Sequence, residues 1–278
     1  MGLLFALISS AMWGTADFLG GTMSRRLPVV AVVLGSQCCA FVVMLVVATV
    51  SGSWGSPRDY VVAGVGAGLT GLIGLSLFYA ALATGTMGIV SPIAALGVLV
   101  PLAFGLVLGQ LPTAGQYIGI ALALLGIILA SGPEISGASG VRPVLLALGA
   151  ALGFGLSETF IAQGSVTSVT MTMLTMRTVS VLVAIGAIVV TRSIGGVRAA
   201  DLRMLAVIGL FDVLANVAFG LATQKSLLPL VAVLGNLYPV MTVLLAWRIL
   251  HERLARMQYV GIAVALLGVV AISALGTT

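Results

Sequence analysis

Apolar runs of about twenty residues follow one another down the whole chain, separated by short polar or glycine- and proline-rich breaks. Ten runs can be drawn, at 2–22, 29–50, 60–82, 88–109, 115–131, 143–163, 168–191, 203–222, 227–249 and 257–275. The breaks include SRRLP at 24–28, SGSWGSPRD at 51–59, SGPEISGASGVRP at 131–143, TRSIGGVRAAD at 191–201 and HERLARM at 251–257. A bilayer core takes roughly 20 apolar residues per helix. In lipid a spanning segment must satisfy its own backbone groups, which a helix does. The pattern therefore predicts an all-α integral membrane protein of ten transmembrane helices.

The pattern is also written twice. Residues 116–130 read QYIGIALALLGIILA and residues 258–272 read QYVGIAVALLGVVAI, with nine of fifteen positions identical and 142 residues between copies. The first runs of the two halves align as well: LLFALISSAMWGTADF (3–18) lies over LLALGAALGFGLSETF (145–160), which sets Asp17 beside Glu158 and Trp13-Gly14 beside Phe154-Gly155. The expected division is a first five-helix repeat at 1–132, a linker at 133–142 and a second repeat at 143–278. Five helices per half is odd, so the second half starts on the opposite side of the membrane. The repeats are then inverted, related by a pseudo-two-fold axis in the membrane plane, the geometry of alternating access.

Composition agrees with a lipid environment. Hydrophobic residues make up 60% of the 278 residues, charged residues 7%, and the mean hydropathy is +1.26. Soluble domains carry about 25% charge. The apolar start MGLLFALISSAMWG lacks a basic leader region and reads as the first span. Cys38 and Cys39, adjacent in an apolar run, read as buried small hydrophobes. The net charge of +5 would suggest nucleic acid in a soluble protein, but here the arginines stand in loops, so no nucleic-acid partner is expected. Eleven arginines against one lysine hint at a GC-rich bacterium, hence a multi-pass protein of a bacterial inner membrane.

Trp13-Gly14, Pro239, Glu252-Arg253-Leu254 and Gln258-Tyr259-Val260-Gly261 carry a resemblance to the drug/metabolite transporter superfamily, specifically the EamA-type ten-helix exporters. The first half keeps a weaker copy, with Gln110-Leu111 in place of Glu-Arg-Leu and Gly97 where the family often has proline. The resemblance covers essentially the whole chain. It implies helix-end roles for these motifs and an arginine at the position of Arg177. It also implies cytoplasmic termini, which the charges oppose. Loops after odd-numbered helices, with one helix end, hold Arg25, Arg26, Arg142, Arg192, Arg198, Arg203, Arg248, Arg253 and Arg256; the other side holds only Arg58 and Lys225. By the positive-inside rule nine against two argues for termini outside, so the charge count and the resemblance leave two orientations open.

An ionisable residue inside a span is costly and marks function by default. Asp17 and Glu158 approach the midplane from opposite sides, each near enough to a helix end for a solvated role as well. Arg177 needs a carboxylate or a wet cavity, and Glu158, entering from the same side, is the expected partner, either in a structural pair or in one that opens to an anionic substrate group. Asp212, with Asn216 one turn on, and Asn236, beside Tyr238 and Pro239, form the expected polar lining, against a bland role in interhelical hydrogen bonding. Trp13, Tyr79 and Tyr238 are expected as aromatic walls or as simple packing.

Other signals are discounted. GAGLTG at 66–71 matches a dinucleotide-loop spacing but lies inside a span. Gly64/Gly68, Gly105/Gly109 and Gly149/Gly153 read as small pairs that let helices approach. The lone His251 lies in a basic loop, so neither metal, cofactor nor catalytic residues are expected. The expected function is a secondary transporter that exports small metabolites, amino-acid-like, or drugs by alternating access, with a proton-coupled form. The alternative is a membrane-embedded scaffold or enzyme without transport. The expected partners are a small-molecule substrate, the lipid bilayer and protons. One chain already holds both halves, so a monomer suffices.

Overall fold

A computed structural model describes residues 1–85, 87–130, 141–191, 196–249 and 255–275. Among these residues every regular element is helical. In the first half stand α1 (Gly2–Ser24), α2 (Val29–Val50), α3 (Tyr60–Thr84), α4 (Met87–Ala95), α5 (Leu99–Val107) and α6 (Ala114–Ala130). In the second stand α7 (Val141–Ser165), α8 (Val169–Thr191), α9 (Ala199–Thr223), α10 (Leu228–Gly235), α11 (Tyr238–Ile249) and α12 (Arg256–Ala274). Among the described residues nine spans are long and apolar enough to cross a bilayer, and the 17-residue α6 is the shorter tenth. The motif Glu252-Arg253-Leu254, His251, Arg192 and nearly all of the expected linker lie outside the described residues.

Two of the ten expected helices are broken. The fourth span is α4 and α5 joined by a 3-10 turn at Leu96–Val98. The ninth is α10 and α11 joined through Asn236 and Leu237. Proline explains both breaks, because its missing N–H leaves the carbonyl four residues earlier without a helical donor. Pro101 frees Gly97 in the fourth span, and Pro239 frees Gly235 in the ninth. Within the helical stretches Thr15, Thr70, Thr159 and Thr178 donate to carbonyls one turn back at 2.7–2.8 Å.

The halves are laced together rather than set side by side. α3 runs along α7 and α1 along α9, which are equivalent pairs under the repeat. α6 packs along its own copy α12. There the duplicated glycines carry the contact: a methyl on Gly268 would stand 2.5 Å from the Ala123 nitrogen, and one on Gly119 would stand 2.7 Å from the Ile272 nitrogen. Only a residue without a side chain allows backbones this close. Gly64 and Gly68 seat α3 on α8, and Gly149 and Gly153 seat α7 on α3. Gly105 meets Pro229, but Gly109 has open space around it and φ of +76°, so it ends the α5 turn instead of packing. Cys38 and Cys39 are free and half-buried, more open than expected.

Candidate functional site

The first helix of each half presents the same module. On α1, Trp13 and Asp17 are four residues apart and share a face, as do Phe154 and Glu158 on α7. Each module is seated on a broken span of the other half. A methyl on Gly14 would stand 2.6 Å from the Tyr238 carbonyl oxygen at the start of α11. A methyl on Gly155 would overlap the Gly97 carbonyl and stand 2.8 Å from Val100. The glycine after each aromatic residue thus lets the helix press against the break.

Between the modules lies a cavity of about 60 Å³. One water needs roughly 10–15 Å³ on this measure, so the space holds a few waters or a compact solute group. The first half lines it with Trp13, Asp17, Gln37, Gly71, Leu72 and Leu75. The second half contributes Phe154, Ser157, Glu158, Ile161, Met176, Arg177, Ser180, Asp212, Asn216 and Tyr238.

One polar network closes a side of this cavity. Arg177 Nη1 lies 2.9 Å from Asp212 Oδ2 and donates to Gln37 Oε1 at 2.6 Å. Gln37 Nε2 donates to the same Asp212 oxygen at 3.2 Å, so the amide bridges both ends of the ion pair. Asn216 Nδ2 donates to Asp212 Oδ1 at 3.0 Å. Arg177 is 1% exposed, and its Nε and Nη2 are buried without a hydrogen-bond partner among the described residues. A second group joins Asn236 to Glu158: the Asn236 Nδ2 donates to both carboxylate oxygens at 3.1 and 2.9 Å. The same nitrogen donates to the Ala232 carbonyl at 3.0 Å, so it also closes the end of α10.

The structure places Trp13, Asp17, Glu158, Arg177, Asp212, Asn216 and Tyr238 together on the cavity wall. Three expectations need correction. The partner of Arg177 is Asp212 with Gln37, not Glu158, because α8 packs against α2 and α9 at that depth. Asn236 stands behind the wall and acts through Glu158. Tyr79 does not line the cavity. It is buried against Gly20 of α1, where an added methyl would overlap its hydroxyl. Ser157, Ser180 and Phe154 were not expected as lining. Helical spacing could have found them: Ser157 adjoins Glu158, Ser180 is one turn from Arg177, and Phe154 is one turn from Glu158.

Ten spans in two inverted halves, with a cavity lined from both halves, are the plan of a multi-pass membrane transporter. Residues 1–132 and 141–274 each match the EamA-like transporter family, and the chain belongs to that family. No curated protein matches the chain. Among solved structures it is similar to one described only as "Crystal structure of protein", with TM-score 0.79, 16% identity, and cover of 99% of this chain and 97% of the other. At that identity the likeness shows the fold.

Proposed function

We propose that the protein is a secondary transporter that exports a small metabolite or drug bearing a positively charged nitrogen, amino-acid-like or amine, by alternating access. The observation that carries this is a cavity whose walls come from both halves and carry charged side chains. The breaks at Leu96–Val98 and at Asn236–Leu237 supply the two flexing points, one per half. Interrupted spans at corresponding positions of the two halves are where inverted-repeat carriers hold their substrates.

In this reading the repeats 1–132 and 143–278, joined by 133–142, rock about the cavity in a bacterial inner membrane. The outward direction rests on the resemblance to exporters. A proton is the counter-ion, carried by Asp17, the cavity carboxylate without a hydrogen-bond partner among the described residues. Counterflow and gradient-driven uptake in proteoliposomes test this. An imposed pH gradient should drive accumulation of the solute. Accumulation indifferent to the gradient would remove proton coupling and keep the carrier; absence of counterflow for every solute tried would remove the carrier.

A further inference from the structure

The charges of the cavity do not cancel. Three carboxylates, Asp17, Glu158 and Asp212, face it together with one guanidinium, Arg177. Arg177 is committed to Asp212 and Gln37. Its remaining N–H groups are sealed in protein and offer nothing to a solute. Both oxygens of Glu158 accept from Asn236. Asp17 stands apart: it is 93% buried, lines the cavity, and has no hydrogen-bond partner among the described residues. Tyr238 also lines the cavity, but its hydroxyl is as closed to a solute as the Arg177 N–H groups and has no hydrogen-bond partner among the described residues. A desolvated carboxylate on the cavity wall calls for a donor that the protein does not provide.

From this arrangement we infer that Asp17 is the recognition point for a substrate ammonium group, and that the preferred substrates are compact amines carrying no carboxylate. The inference rests on the transporter reading and narrows its substrate class. An ammonium would donate to Asp17. Trp13, one turn from Asp17, and Phe154 line the same cavity and give it apolar walls. A substrate carboxylate finds no free cation here and meets Glu158 and Asp212 instead. An amino acid should therefore bind worse than the amine that lacks only its carboxylate.

Ethylamine and alanine differ by that one group, are small enough for the cavity, and make the test. Binding to detergent-purified protein is read by thermal shift and by isothermal titration. Ethylamine should stabilise the wild type, and alanine should bind at least tenfold more weakly. Asp17→Asn should abolish the amine response. If Asp17→Asn purifies with a lowered Tm, Asp17→Glu serves as the second variant: it keeps the carboxylate, so amine binding should fall severalfold without vanishing. Alanine binding as tightly as ethylamine, amine binding unchanged in Asp17→Asn, or no binding by any amine tried would each overturn the assignment. The transporter reading fails separately: an amine that binds wild type through Asp17 but shows no counterflow sinks transport and leaves the site. A solute carried in the same way by wild type and Asp17→Asn does the reverse.

Discussion

At the break in the ninth span stands Asn236, whose amide holds both oxygens of Glu158. At the same place in the fourth span, 141 residues earlier, stands Ala95, and Asp17, the counterpart of Glu158, is left unheld. The same offset pairs Asp212 with Gly71 and Asn216 with Leu75, all four on the cavity wall. The two halves thus share a backbone plan and differ in polar loading. A symmetric frame gives two comparable breaks, while unequal side chains tie one of them to a buried carboxylate through Asn236 and set Ala95 at the other.

Four measurements can break or sharpen that contrast. Arg177→Met leaves Asp212 charged and unpaired, and should cost about 3–5 kcal/mol. The readout is lost monodisperse yield and a large fall in Tm. The first-half counterpart, Gln37→Leu, removes hydrogen bonds without stranding a cation and should cost about 1–3 kcal/mol. Equal losses would mean that charge is not concentrated in the second half. Glycine tests the shared frame instead. Gly126→Leu and Gly268→Leu occupy matching sites on α6 and α12, and each should lose about 1–3 kcal/mol or more from overpacking. Falls in Tm differing by more than twofold would argue against equivalence.

Asn236→Ala strands the Glu158 carboxylate at a cost of about 1–3 kcal/mol. Adding Glu158→Leu should recover most of that loss, and a thermal double-mutant cycle measures the coupling. Additive effects would show that Asn236 serves only the end of α10. The smallest effect belongs to Gln110→Ala. Gln110 Oε1 accepts from the Leu228 backbone N–H at 2.7 Å, so the first half caps a helix of the second. Its loss should cost about 0.5–2 kcal/mol, in line with other N-caps. Faster hydrogen exchange at the Leu228 amide would report it, and unchanged exchange would deny the cap any role.

The spans and the repeat were legible because hydrophobic length and half-chain similarity are properties of the linear string. The breaks were half legible: Pro239 drew attention to the ninth span, but Pro92 and Pro101 in the fourth did not. Among the site residues, depth along a helix was readable and rotation was not. Arg177 and Glu158 share a depth, yet the packing of α8 on α2 and α9 turns the guanidinium toward Asp212. Gln37 stands 140 residues before Arg177, at the matching place in the first half. Its role as a bridge depends on α2 meeting α8 and α9 at once, which no local pattern encodes. Tyr79 has the right depth and composition for a wall, but faces Gly20 instead.

The contact of α6 with its own copy bears on how the protein is made. The glycine face of α6 leaves the ribosome 142 residues before the face that covers it. At about 5–20 residues per second that is a wait of roughly 7 to 28 s. During the wait α6 lies in lipid with its partner missing. A face built of glycine and alkyl groups waits there at little cost, since lipid tails are as apolar as the missing helix. The costly groups have a shorter wait: Arg177 and Asp212 are 35 residues apart, so the cation meets its carboxylate within one helical hairpin. Order of synthesis and order of chemistry agree at these two contacts, the apolar seam waiting 142 residues and the buried ion pair 35.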